Sequence, residues 1–194
     1  MSKTSQLEQL NKEMYACSKC ALRPGCNRVV PGAGSAEAKI MFIGEAPGKK
    51  EDELGVPFVG AAGKFLDEML ASIKLKREDV YIANVAKCRP PENRDPLPEE
   101  ISTCWPWLLK QIQIIQPRLI ITLGRHSMER FLPEQKISQI HGTLIIKTIP
   151  EIGKQNFYVL YHPAAALYNG SLRKTLLKDF ERIPKVLKKI KSTL

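Results

Sequence analysis

Lys39-Ile40-Met41-Phe42-Ile43-Gly44-Glu45-Ala46-Pro47-Gly48 is the stretch on which the fold turns. Residues 40–43 are four consecutive apolar side chains stopped by a glycine, the pattern of a strand buried on both faces, and 45–48 reads as the loop that follows it. A helical pattern comes next over 61–74, with Phe65, Leu66, Met69, Leu70 and Ile73 on one face. The alternation then repeats. Residues 80–85 and 118–123 read as buried strands, the second closed by Gly124, and 144–149 and 157–161 as two more. Between and after them, 98–116 is helical with Pro106 a kink or a new helix start, 125–132 is a short helix, and 171–191 is helix interrupted at Pro184. Upstream, Leu7, Leu10 and Met14 mark a helix over 5–16, and the Gly-, Pro- and Cys-rich 17–38 is irregular. Strands alternating with helices predict an α/β fold, a parallel sheet covered on both faces. Ligands of such sheets bind at the carboxyl ends of the strands, which singles out the loops 44–60, 84–98, 124–127 and 161–170.

The chain has 194 residues, 43% apolar and 26% charged, which suits one domain (1–194) with a real core and excludes a disordered chain or a disulfide-dense miniprotein. No apolar run approaches the roughly 20 residues of a membrane span. The N-terminus is polar, carries Glu8 and Glu13, and lacks the pattern of a signal peptide. The expected setting is therefore intracellular (cytoplasmic, of prokaryotic type), where thiols stay reduced; high Lys and Ile content and 14 prolines lean towards a thermophile. Thirty Lys+Arg against 20 Asp+Glu leave a net charge of +10, which calls for a polyanionic partner. Residues 173–194 hold eight basic and two acidic side chains, so most of the excess lies there, divided between grip on the partner and a solvated face.

Cys17 and Cys20 form a C-x2-C pair, and Cys88 and Cys104 are dispersed. The second spacing is too wide for a zinc ribbon, whereas two close and two distant thiolates can hold a cubane iron–sulfur cluster. The alternative is that Cys88 and Cys104 are ordinary small buried residues. Cys26, in a Pro-Gly loop, is a bystander.

The strand-tip loops offer four further groups. Gly44–Gly48 lacks the ending of a nucleotide-binding P-loop, which excludes nucleoside triphosphates. Glu45 is either a general base or acceptor at a strand tip, or a solvated carboxylate. Phe58, among glycines and a proline, is a stacking platform for a flat ligand or a core residue. Asn84 can read the edge of a base with its amide, or form a turn. His162 after the last strand can donate to a developing anion, or be a loop histidine without a task. His126 and His141 sit in no comparable pattern.

In order along the chain stand the C-x2-C pair, Val30-Pro31-Gly32, Gly44-Glu45-Ala46-Pro47-Gly48 with Glu51-Asp52, Gly55-Val56-Pro57-Phe58-Val59-Gly60, Asn84 with Cys88-Arg89-Pro90-Pro91 and Asn93-Arg94, Cys104, Thr122-Leu123-Gly124, and His162-Pro163-Ala164. This order resembles the family 4 uracil-DNA glycosylases, the iron–sulfur members of their superfamily, over about residues 15–180. The related uracil-crosslinking branch carries a histidine-containing insertion after the second strand, and residues 89–96 here hold no histidine.

The resemblance implies a three-layer α/β/α sandwich around a central, mostly parallel four-stranded sheet. It implies a 4Fe-4S cluster on Cys17, Cys20, Cys88 and Cys104, Phe58 stacked on uracil, Asn84 reading its edge, and His162 stabilising the leaving base. It implies a substrate site of Gly44, Glu45, Ala46, Glu51, Phe58, Asn84 and His162, with Glu51 walling the pocket near the position of a thymine methyl. Its better-known relatives orient water with an aspartate where this chain has Ala46, which leaves Glu45 as the available carboxylate. Leu167, after the His162 motif, is the wedge that fills the gap left by the flipped base, or packs beneath its loop. The partner implied is uracil-containing DNA, single- or double-stranded, met by a monomer; a replication clamp is a partner the sequence leaves open. Two other readings stand beside it, a non-catalytic metal-stabilised nucleic-acid-binding module and an iron–sulfur electron carrier. The module leaves Glu45, Phe58, Asn84 and His162 without a shared purpose, and the carrier conflicts with the cysteine spacing and the basicity. On the leading reading, phosphate contacts give salt-sensitive affinity, while a few uncharged contacts give specificity.

Overall fold

The computed structural model describes residues 1–191; residues 192–194 and the side chain of Lys191, one of the eight basic groups counted above, lie outside them. Along the chain come α1 (Lys3–Tyr15), β1 (Ala33–Gly34), β2 (Ile40–Gly44), α2 (Lys49–Leu54), α3 (Ala61–Ser72), β3 (Tyr81–Asn84), α4 (Pro98–Ile115) and β4 (Leu119–Leu123). There follow α5 (Arg125–Phe131), α6 (Ile137–Ile140), β5 (Leu144–Ile149), β6 (Gly153–Leu160), α7 (Pro163–Leu167), α8 (Gly170–Phe180) and α9 (Ile183–Lys191). The strands form one sheet in the order β1-β3-β2-β4-β6-β5.

The expected four parallel strands are its centre: β3, β2, β4 and β6 run parallel. The sheet reaches six because the two-residue β1 and the hairpin arm β5 pair antiparallel at its edges. Every residue of β2, β3 and β4 is buried, as uninterrupted apolar runs require when helices cover both faces.

The pleat sends alternate side chains to opposite layers. Met41 and Ile43 of β2, with Tyr81, Ala83, Ile120, Phe157 and Val159, meet α1, α4 and α5 through Leu7, Leu10, Leu108, Ile112 and Met128. Ile40 and Phe42, with Ile82, Leu119, Ile121, Tyr158 and Leu160, meet α3, α8 and α9 through Phe65, Leu66, Leu176, Phe180 and Ile183. Phe42 lies almost flat on Phe180, ring centroids 5.7 Å apart. These two layers of contact make the three-layer sandwich.

Helix α4 runs on through Pro106 as a single element, so of the two expectations the fresh start does not occur. Pro106 and Ser102 are both exposed, so the carbonyl that the proline leaves unpaired is on the solvent side. Pro184 falls in the first turn of α9, where its missing N–H costs little, and the break precedes it. Helices α2 and α7 occupy stretches read as loop, and α6 a stretch given no assignment; with six, five and four residues, they are too short for a periodic signal.

After β2 the chain steps to β3 on one side and then to β4 on the other. That reversal opens a crevice at the carboxyl ends of the strands. Because Phe42 is fully buried between β2 and α8, Phe42→Ala is expected to cost about 3–5 kcal/mol, read from the urea midpoint at unchanged m-value. A loss under about 1 kcal/mol would mean that this layer repacks freely.

Candidate active site

Gly44 and Asn84 stand opposite each other at the ends of β2 and β3, and His162 follows β6 by two residues. Between these tips lies a cavity of about 320 Å³. Glu45, Ala46, Glu51, Phe58, Asn84 and His162 line it. Gly44, the remaining residue expected there, is not among the lining residues but lies directly against Asn84 and Phe58, which are. A Cβ on Gly44 would overlap Asn84 Oδ1 and stand 2.7 Å from the Phe58 ring, so only glycine lets the amide and the aromatic close over the strand end. Gly124 does the same for His162, whose Cβ would lie 2.9 Å from an added methyl, at a left-handed φ of 94°.

Phe58 is buried and sits at φ 52°, a left-handed conformation that costs a bulky residue about 1–3 kcal/mol. Its surroundings hold it there. Arg77 donates to the carbonyls of Pro57 and Phe58 and pairs with Asp67. Glu51 Oε1 accepts from the N–H groups of Val59 and Gly60, 2.9 Å each, at the start of α3. Gly63 gives the Phe58 carbonyl room, because a methyl there would collide with it. Glu51 thus lines the cavity and also fixes the turn that aims the Phe58 ring.

Asn84 is 2% exposed, and its Oδ1 has no hydrogen-bond partner among the described residues. Buried amide oxygens are ordinarily paired, so this one is free for a ligand N–H. His162 Nδ1 accepts the backbone N–H of Ala164 at 3.1 Å, which leaves the proton on Nε2 and makes that nitrogen the donor. Burial lowers its pKa to about 4, more than the Glu51 charge raises it, so the ring is neutral at physiological pH. Its ring centroid lies 5.7 Å from that of Phe58.

Glu45 is half-buried, and its Oε1 has no hydrogen-bond partner among the described residues. Desolvation raises its pKa, and the nearby His126 works in the opposite direction. His126, which the sequence reading set aside, faces it: Nδ1 lies 3.8 Å from Glu45 Oε1 and Nε2 3.1 Å from Asp95 Oδ2. Its position on α5, two residues beyond Gly124 and the β4 tip, is what brings it there. His141 is a packing residue, bonded to Asp179 at 2.6 Å and tilted against Tyr161, ring centroids 4.8 Å apart. Arg94 also lines the cavity, anchored by two hydrogen bonds to the buried Glu100.

On the α1–α4 side of the sheet, Cys17, Cys20, Cys88 and Cys104 line one pocket together with Met14 and Trp107. All five cysteines are free. Four convergent thiols in an apolar pocket are a soft donor set of the kind that holds zinc or an iron–sulfur centre, and the residues present fit either. Cys26 lies outside that lining, beside Cys88. At the far end of α7, Leu167 is half-buried against the layer of Phe58 and Phe65, while Tyr168 is 93% exposed.

The family model for the uracil DNA glycosylase superfamily matches residues 31–188. A type-4 uracil-DNA glycosylase of Archaeoglobus fulgidus is 45% identical over 97% of this chain and 96% of its own length. Similar proteins of the same description come from Sulfurisphaera tokodaii, 46% identical over 91% of this chain and 83% of the relative, and from Thermotoga maritima, 40% identical over 94% and 95%. Likeness of this extent takes in all four strand tips and the cysteine pocket alike, and the chain belongs to the uracil DNA glycosylase superfamily.

Proposed function

We infer that the chain is a monofunctional uracil-DNA glycosylase. It takes a uracil turned out of DNA, hydrolyses the bond between base and sugar, and leaves free uracil and an abasic site, the opening step in repair of deaminated cytosine. The observation that carries this reading is the buried, unpartnered Asn84 Oδ1 on a cavity that also holds a neutral imidazole donor. The whole chain, 1–194, acts as one catalytic domain and as a monomer inside the cell. Among the described residues no helix is long and apolar enough to cross a membrane.

Asn84 Oδ1 accepts N3–H of uracil while the amide nitrogen donates to O4. Cytosine reverses both roles and would leave buried groups unpaired. Phe58 stacks on the base, and the walls at Glu51 exclude the thymine methyl by shape. As the bond breaks, charge builds on uracil O2, and His162 Nε2–H donates to it. One well-aimed donor of this kind is worth about 3–4 kcal/mol in the barrier. Glu45 faces the sugar, where it orients the attacking water and stabilises positive charge; Ala46, beside it, leaves that duty to Glu45 alone.

Cys17, Cys20, Cys88 and Cys104 would hold a 4Fe-4S cluster, which supplies a rigid cross-link between the N-terminal segment, the Asn84 loop and α4. Incubation with a uracil-containing oligonucleotide followed by alkali tests the activity. Breakage is expected only at uracil and only after alkali; intact single- and double-stranded substrate would defeat the reading.

Glu45 works as an anion with a raised pKa, and His162 stays neutral above about pH 4. Single-turnover excision is therefore expected to rise with pH as Glu45 ionises, a step opposed by desolvation and by Asp95 and favoured by His126, Arg125 and Arg130, with no limb from His162 near neutrality. Glu45→Gln should slow base release more than it weakens DNA binding, and should flatten the acid limb. A limb that survives in this variant assigns it to another group.

Leu167, expected as the wedge, is half-buried and supports the turn, and the exposed Tyr168 is the side chain that reaches into the duplex. Base–aromatic stacking is worth about 1–3 kcal/mol, so Tyr168→Ala should slow excision from duplex roughly tenfold more than from single strands. Equal losses on both substrates would remove Tyr168 from the flipping step.

A further inference from the structure

Lys87 is 2% exposed, and its ammonium lies in the interior. Nζ donates to the backbone carbonyl of Asn84 and to Gln111 Oε1, both at 2.7 Å. Gln111, fully buried on α4, passes the chain of bonds on: its amide donates to the Pro31 carbonyl at 2.9 Å and to the Tyr81 hydroxyl at 3.1 Å. Among the described residues no carboxylate comes within ion-pair distance of Lys87. Its backbone N–H donates instead to Cys104 Sγ at 3.2 Å, and its peptide neighbour is Cys88.

A buried cation held only by neutral acceptors is costly unless an anion lies close by. The four-thiol pocket is the nearby group able to supply one, since four thiolates around a cubane core leave net negative charge on the centre. The same ammonium grips the main chain of the residue assigned to read the base. The next two amides, of Val85 and Ala86, donate to the carbonyls of Gly44 and Glu45 at 3.0 and 2.9 Å. One side chain therefore stands under both the base-reading loop and the Glu45 loop.

We propose that Lys87, seated by Gln111, is a positioning residue: it is the charge partner of the cysteine centre and fixes the backbone of Asn84, so that it governs uracil recognition without touching the base. The proposal rests on the role given to Asn84 above and extends it to a group outside the cavity. It also accounts for a lysine where an apolar side chain of similar length would fit a buried site: methionine can fill the space, but cannot hold the Asn84 carbonyl in register.

The test uses the full chain with its iron content measured. In the parent background, Lys87→Met should slow single-turnover uracil excision at least tenfold while leaving affinity for an abasic oligonucleotide within twofold. In an Asn84→Ala background the same change should slow excision less than twofold, because the group it positions is gone. Equal slowing in both backgrounds makes Lys87 a general structural residue and overturns the proposal, as does a Lys87→Met protein with parental excision. Gln111→Leu, which leaves every cysteine and its neighbours in place, should reproduce the pattern and serves where Lys87→Met fails to load iron. Amide hydrogen exchange gives a readout free of activity. Residues 84–88 should exchange at least tenfold faster in either variant, with α3 unchanged, and unaltered exchange there overturns the proposal even if no uracil is ever released. Absence of release by the parent with the exchange change present would instead refute the glycosylase reading alone.

Discussion

The bare Cα of Gly44 lets two side chains share the space above one strand end. Asn84 Oδ1 and the edge of Phe58 both lie where a methyl on that carbon would be. A hydrogen-bonding edge and an aromatic face are thereby brought together at one point on the cavity wall, and a planar ring that meets both is fixed in orientation and in depth. The parallel strands β2 and β3 set this distance, because Gly44 and Asn84 are register partners. What remains is to keep each group from turning away.

Different devices do that on each side. Phe58 is kept in a left-handed turn by Arg77, Glu51 and the missing side chain of Gly63. His162 is locked in one tautomer by a peptide N–H two residues on, a bond that also sets the start of α7. Asn84 is held from beneath by main-chain bonds and the Lys87 ammonium. The cavity walls are therefore held by the chain's own bonds, and the strain stored there lies in the backbone at Phe58.

How much of this was legible depends on the range of the interaction that decides it. The buried strands announced themselves as apolar runs ended by glycine, and their tips located the loops that matter. Asn84, Phe58, Glu51 and His162 could be named because each lies at such a tip or in the segment that follows one, inside a recognisable order of motifs. His126 could not, because its partners Glu45 and Asp95 are remote in sequence and only the order of strands brings β2 beside β4. Lys87 was hidden by its type: a lysine reads as surface, and nothing local reveals that Gln111, 24 residues on, waits to receive it. The exposure of Tyr168 next to a tucked Leu167 depends on the rotation of one short helix, which composition does not encode.

The cysteine pocket joins segments far apart along the chain, with 68 positions between Cys20 and Cys88. A centre bound by all four thiols closes that span into a ring. For a span of this length the closure entropy removed from the unfolded chain is of the order of 4 kcal/mol before the constant term. β1, β2, α2, α3 and β3 all lie inside the ring. Loss of the centre would thus be felt as a change in the whole unfolded ensemble.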